Sequence, residues 1–490
     1  MLATTFAVLL ATLHVMWDDG ELDLSRTTAE KRVHQGRYAG EVMRFDRPWE
    51  GDGCGFFNVV ATADEKGPLY RMYYLAWSIT DVVRQTKGAA ILPAVIESRD
   101  GIAWTRPELG LCDFRGSKAN NLLLPGGWDN FCVFKDDNPA CPPSERYKAT
   151  AQRVLGGGDH SLECYVSADG LHFRHGWRLL TGHGQDMKFD SVNVACWDAA
   201  RGVYRVYCRG LHEIRPDTVY GVWKVREIRT AESKDFKIWS EVRPIAFTGE
   251  DVEDVPLYTN GVYPYFRDPG ILTGFPTRYI ERPSWTPNYD ALPSPDLRRE
   301  RMNRGEKRYG LAITDCIFMF SRDGYRFERS GEAVYTPGPE RNPRAWVYGS
   351  CYPTFRPVLT PDPRGGDDEM SFYMGEGHWS GQPTTLMRFV FRQDGFVSRH
   401  AGIRPRTVVS RPVVCEGGRL FVNFATSARG HLTVTVKGPS GETLKSCELF
   451  GDKVDREVQL EGGSLAALKG RKVTVEFELL DGDLYSFRFR

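Results

Sequence analysis

SRDGIAW at Ser98–Trp104, SADGLHF at Ser167–Phe173, SKDFKIW at Ser233–Trp239 and SRDGYRF at Ser321–Phe327 are copies of one string, with a degraded fifth, FRQDGF, at Phe391–Phe396. Their bend aspartates, Asp100, Asp169, Asp235, Asp323 and Asp394, lie 69, 66, 88 and 71 residues apart. Asp-Gly between apolar runs marks a hairpin bend, because the turn needs positive φ and glycine adopts it without a Cβ clash. The Trp or Phe close behind falls on the next strand, where a flat ring fills the gap between stacked sheets. A unit that cannot bury its own apolar face must stack on its neighbours. In an all-β sequence this repeat predicts a five-bladed propeller with four-stranded blades.

Working outward, each copy closes a four-part run. Blade one reads from GFFNVVATADEKG through LYRMYYLAW and PAVIESRDG to IAWTRPE, and blades two to four repeat the grammar. Blade five has CYPTFRPVL, EMSFYMGE and TLMRFVFRQDG, then only a weak last strand. After Gly402 the texture changes: HLTVTVKG, KVTVEFELLDG and LYSFRFR alternate with period two, as half-buried strands do. The expected division is therefore a propeller over 1–402 and a β-sandwich over 403–490, with a sixth blade as the alternative for the second part.

Composition bounds the function. The chain has 490 residues, and its 64 basic and 64 acidic side chains cancel, so no global field draws it to nucleic acid or anionic membrane. No apolar run reaches the roughly 18 residues that span a bilayer. Met1–Val15 is apolar but lacks a leading Lys or Arg and a clear cleavage site; a signal peptide is the alternative to reading LHVMW as a strand of the first blade. Eleven cysteines without C-x-x-C pairs suit buried thiols, which slightly favours a cytoplasmic over a secreted setting. No ligand string supports zinc, another cofactor, or a structural ion in the axial channel. Oligomeric state is open.

In a propeller the start of each innermost strand and the end of the second strand share one face. That rule nominates Glu50 in PWEGDG, Asp129 in WDNF, Asp190 in KFDSVN and Glu376 in GEGHW as catalytic carboxylates. It nominates Trp77, Arg209, His212, Asn260, Arg278 and His378 as substrate contacts. Carboxylates from different blades meeting at one depression supply what glycosidic cleavage needs. One protonates the leaving oxygen, and the other activates water or attacks the anomeric carbon. Arg, His and Trp around them suit sugar hydroxyls and ring faces. By the same rule Asp268 in FRDP, and KDDNP at Lys135–Pro139, fall on the opposite face and are set aside. The insertion Glu281–Gly310 overhangs the pocket; Trp285 and Tyr289 are expected to cover a sugar ring. Its cluster Arg298, Arg299, Arg301, Arg304, Lys307 and Arg308 reads as a solvated helix face, with an acidic or sulfated sugar as the alternative.

Five blades followed by a sandwich resemble the clan of five-bladed propeller glycoside hydrolases that includes families 32, 43, 68 and 130. PWEG, YRMYY, SRDGIAWTRPELGL, GSKANN, DNPACPPSERYKA, FDSVNV, GFPTRY and DLYSFRF resemble a group of bacterial family 32-like proteins across nearly the whole chain. The resemblance implies a carbohydrate-active enzyme acting on an oligosaccharide or polysaccharide, and it carries the clan's inner-strand carboxylates onto Glu50, Asp129 and Asp190 as a pattern. The family 32 strings WMNDPNG and Glu-Cys are absent, which argues against fructosidase activity. A non-catalytic glycan- or protein-binding propeller stays open, as does a glycan phosphorylase or transferase.

Overall fold

The computed structural model describes residues 12–490 apart from 84, 85, 87, 88, 127, 305 and 306. Most of Met1–Val15 lies outside the described residues, and the side chain of Arg304 does too. Five sheets are arranged as the repeat predicts, antiparallel except where Ala246–Thr248 adds to blade four parallel to Arg326–Tyr335. Blade one is Gly55–Asp64, Gly67–Ala76 and Leu92–Ser98, its fourth strand reduced to the Glu97–Thr105 bridge. Blade two is Cys132–Lys135, Tyr147–Gly156, Asp159–Ser167 and Arg174–His183. Blade three is Val194–Asp198, Val203–Glu213, Lys224–Ser233 and Arg243–Pro244. Blade four is Tyr263–Tyr265, Asp268–Gly274 with Thr277–Glu281, Ala312–Ser321 and Arg326–Tyr335.

The repeated bends are tied by their own side chains. Asp100 Oδ1 accepts the backbone N–H groups of Ile102 and Ala103, each at 2.8 Å, and Ser98 Oγ accepts that of Gly101. Asp169 and Asp323 make the same pair of bonds. Gly101, Gly170 and Gly324 hold φ of 71°, 76° and 78°, the left-handed conformation the motif requires. In blade three Phe236 takes that position at φ 63°, a conformation costly for a side chain with a Cβ; its ring is buried against Phe134 of blade two.

The same bends lock blade to blade. Tyr73 of blade one donates its hydroxyl to Gly170 O of blade two, Tyr207 of blade three to Gly324 O of blade four, and Tyr373 of blade five to Gly101 O of blade one. The trailing rings pack edge-on across these boundaries: Phe173 on Tyr73, Phe327 on Tyr207, Trp104 on Tyr373. Buried amides near the axis add a second set of ties, with Asn58 Nδ2 donating to Val133 O and Asn130 Nδ2 to Phe189 O.

Blade five corrects the sequence reading. Its strands Val358–Thr360, Glu369–Glu376 and Thr385–Phe391 are completed by Arg37–Arg44, so the N-terminal part of the chain closes the ring. The weak strand expected there, Val397–Ala401, instead joins the C-terminal sheet. Asp394 no longer bends a hairpin. Buried, it accepts hydrogen bonds from Tyr265 Oη and Ser486 Oγ and pairs with Arg267, pinning the ring to the C-terminal part.

The C-terminal sheet also draws on both ends of the chain. His14–Val15, in the stretch read as a blade-one strand, pairs with Phe487 and Ser486, and Glu30–Val33 pairs with Val397–His400. Two long strands, Leu420–Lys437 and Lys472–Phe489, form its spine and close on an apolar core of Leu, Val and Phe. Ten of the eleven cysteines are buried, Cys447 being exposed. Among the described residues no helix is long and apolar enough to cross a membrane, and no group of His, Cys, Asp or Glu is arranged to hold a metal ion.

Candidate active site

A cavity of about 830 Å³ opens at the propeller axis, and all five blades contribute to its wall. Trp77 ends strand two of blade one; Asp129 precedes the inner strand of blade two, and Asp190 that of blade three. Arg209, Leu211, Val222, Trp223 and Arg226 come from strands two and three of blade three and their connection. Tyr258 and Glu281 come from blade four, and Tyr348 and Trp379 from blade five. A smaller recess shares Trp77, Asp129, Tyr258 and Tyr348 and ends on Phe56, Tyr352 and His378. Of the ten residues nominated from sequence, Trp77, Asp129, Asp190, Arg209 and His378 meet here.

The two aspartates sit in contrasting surroundings. Burial, reinforced by the negative charge of Asp190, pushes the Asp129 carboxyl up to about 6. Asp190 has Arg209 Nη2 at 2.5 Å from Oδ1 and Lys188 Nζ at 3.8 Å from Oδ2. The chain just before Asp190 is held by Phe189, at φ 58°. Tyr258 donates its hydroxyl to Asp190 O, and Ser191 Oγ donates to Tyr258 O. At the base of the recess His378 is half-buried, and desolvation, with Arg301 also acting, lowers its imidazole to about 4, keeping it neutral at neutral pH.

The other five nominees lie elsewhere, each for a local reason. Glu50 is buried in a network made of the strings that carry the family resemblance. It accepts two bonds from Arg106, at 2.8 Å each, and one from Tyr74 Oη at 2.6 Å; Asn121 links Tyr74 to Trp49. Its carboxylate holds blade one together and faces no cavity. Asn260 is buried and donates to Val192 O and Tyr207 O. His212 bridges Glu227 and Asp254, and Arg278 makes two bonds to Asp315, each at 2.7 Å. Strand alternation explains both: Arg209 and Leu211 face the cavity, so His212 faces away, and Arg278 is out of phase with Glu281 on the same strand, Thr277–Glu281. Glu376 accepts from Asn342 Nδ2 at 2.9 Å; burial raises its carboxyl, but it does not line the cavity.

Sequence reasoning missed Glu281, Arg226, Tyr258, Tyr348, Tyr309 and Trp379. Glu281 was within reach of the strand-two rule, had the run GFPTRYIE been followed to its end. Glu281 is buried and pairs with Arg226 Nη1 at 3.0 Å, while the Arg226 guanidinium lies 4.0 Å from the centre of the Tyr279 ring. The aromatic wall residues have no sequence signal of their own in a chain this rich in Trp and Tyr.

The insertion reaches the cavity, by other residues than expected. Trp285 and Tyr289 pack on each other, with Tyr289 buried, and form the insertion's own core. Arg301, Arg308 and Tyr309 line the cavity. The helix Pro295–Arg304 is not a solvated basic face: of its described arginine side chains Arg298 and Arg301 point inward, and Arg299 stays outside, paired with Asp290 and Asp296. The set-aside carboxylates are structural. Asp268 Oδ1 accepts Gly270 N–H in a turn, and buried Asp136 pairs with Lys148 at 2.5 Å.

No protein-family model matches the chain, and no curated protein sequence matches it. Among solved structures it is similar to an N-acetylgalactosamine deacetylase from F. plautii in complex with blood group B trisaccharide, at 12% identity and a TM-score of 0.46, over 75% of this chain and 95% of that one. It is similar to a fructofuranosidase from Schwanniomyces occidentalis complexed with fructosylnystose, at 9% identity and 0.40, over 93% and 98% of the two chains. A Bacteroides thetaiotaomicron endo-arabinase matches at 10% identity and 0.38, over 73% and 99%.

Proposed function

We propose that the protein is a glycoside hydrolase whose axial pocket cleaves a glycosidic bond between Asp129 and Asp190. The observation that supports this most is the pairing of two carboxyl groups in one cavity with opposed environments. Asp129, raised to about 6, retains a proton into the mildly acidic range; Asp190 faces Arg209 and Lys188. A carboxyl that holds a proton and a second carboxyl flanked by two cations are suited to divide the work of acid and base.

In this reading Asp129 gives its proton to the glycosidic oxygen as the bond from that oxygen to the anomeric carbon breaks. Asp190 supplies the second carboxylate, which attacks the anomeric carbon or takes a proton from the attacking water. Trp77, Trp223 and Trp379 offer ring faces for sugar stacking, and the Glu281–Arg226 pair offers hydrogen bonds to hydroxyls. Neutral His378 at the base of the recess suits an uncharged contact.

The test is reducing-sugar release from a broad panel of glycans and aryl glycosides, with wild type beside Asp129→Asn, Asp190→Asn and Glu376→Gln. We expect both aspartate variants to lose activity while staying folded and Glu376→Gln to keep it. Activity retained in either aspartate variant sinks this assignment.

A further inference from the structure

The helix Pro295–Arg304 turns two arginines inward, and the two are treated differently by the fold. Arg298 is satisfied by backbone carbonyls: it donates to Pro293 O, Gly310 O and Trp346 O, with the Tyr289 ring beside it. Arg301, one turn on and only 3% exposed, lines the cavity, yet none of its three guanidinium nitrogens has a hydrogen-bond partner among the described residues. Its near neighbour is the face of Trp379, whose ring centre is 5.2 Å away. Of the two acidic groups whose fields reach it, Asp52 is already engaged by Ser78, Thr80 and Gly381, and Glu300 is its neighbour on the same helix.

A buried guanidinium with no acceptor is costly, and chains rarely keep one without an acceptor arriving from elsewhere. The rest of the wall does not supply that acceptor, since Asp190 is taken by Arg209 and Lys188, and Glu281 by Arg226. Burial first, and the positive charge of Arg298 after it, lower the Arg301 guanidinium to about 10, so it remains charged at neutral pH. We propose that Arg301 is a specificity-determining residue that receives an oxyanion carried by the sugar, a uronate carboxylate or a sulfate ester, at the insertion side of the axial pocket. This rests on the reading that the pocket takes a glycan. It makes acidic glycans the substrate class, and it reverses the sequence expectation that the basic cluster merely faces solvent.

The experiment compares binding by calorimetry of oligogalacturonates and sulfated chondroitin oligosaccharides, each beside its carboxyl-reduced or desulfated twin. The proteins are wild type, Asp190→Asn, Arg301→Gln and Arg298→Gln. A charge-assisted bond to a buried guanidinium is expected to give an anionic probe at least about a tenfold advantage over its twin, kept in Asp190→Asn and lost in Arg301→Gln. Because Arg301 makes no hydrogen bond to the described residues, Arg301→Gln is expected to melt no lower than wild type, whereas Arg298→Gln, which loses its carbonyl bonds, melts lower. Equal binding of every twin pair overturns the inference, as does a preference that survives in Arg301→Gln. Cleavage of a neutral glycan with consumption of inorganic phosphate, at a KM for phosphate raised by Arg301→Gln, also overturns it, the oxyanion then being a co-substrate. Discrimination in wild type without any cleavage would remove the hydrolase reading alone.

Discussion

Replacing Asp129 with Asn removes the proton that the proposed reaction gives to the leaving group, and the environment of Asp129 sets how the loss should appear. Its carboxyl stands at about 6 against an ordinary 3.8, a rise of about 2 units caused first by burial and then by Asp190. At about 1.36 kcal/mol per unit, holding Asp129 ionised costs the folded state about 3 kcal/mol. The sign follows from proton binding. The folded state holds this proton more tightly than the unfolded chain, so the contribution is complete below about pH 4 and is lost as pH rises through about 6. Asp129→Asn, uncharged throughout, should lack that decline, so its melting temperature relative to wild type should rise between about pH 4 and 7. In kinetics, kcat/KM of wild type should fall as pH climbs through about 6. The variant should lose about 10²–10⁴-fold on alkyl glycosides, whose leaving groups need a proton, and far less on dinitrophenyl glycosides, whose leaving groups do not. Measuring both substrate series across pH reads these effects together. An equal loss on both series, or a basic limb near pH 6 that survives in the variant, would refute the assignment of Asp129 as the acid.

Other outcomes follow from the same geometry. Arg209→Met leaves Asp190 without its closest counterion and should cut kcat by at least about tenfold at neutral pH with little change in melting, read by steady-state kinetics on the best panel substrate. Glu50→Gln leaves half-buried Arg106 short of its charge partner and should cost about 2–3 kcal/mol of stability by denaturant titration, while the folded fraction keeps its kcat; a catalytic Glu50 would reverse that pattern. Gly170→Ala puts a Cβ 2.7 Å from Tyr73 Oη at a φ of 76°, so the midpoint of unfolding should drop by the equivalent of about 1–3 kcal/mol. Trp223→Ala removes a ring 59% exposed at the pocket wall and should raise KM for long glycans several-fold with kcat nearly unchanged.

The propeller was legible because its signal is local and repeated. A Ser-x-Asp-Gly bend satisfies its own backbone groups within a few residues, and the aromatic behind it must find the neighbouring blade, so the string carries both the turn and the stacking. Strand order then placed Asp129, Asp190, Arg209, Trp77 and His378 on the right end of the ring. What was not legible depends on pairings between distant segments. Arg37–Arg44 completes blade five and His14–Val15 joins the last strand because those edges are left open by the ring and by the C-terminal sheet, and no local pattern records which edge a strand will fill. The choice between Arg209 and His212, or between Glu281 and Arg278, turns on a one-residue phase that strand alternation makes decisive and composition leaves blank. Glu50 and Arg301 are the sharpest case. Both are ionisable groups buried by tertiary contacts, but only the structure tells that one is hydrogen-bonded by Arg106 and Tyr74 and that the other has no hydrogen-bond partner among the described residues, because partnership for a buried group is decided by what the fold brings alongside it.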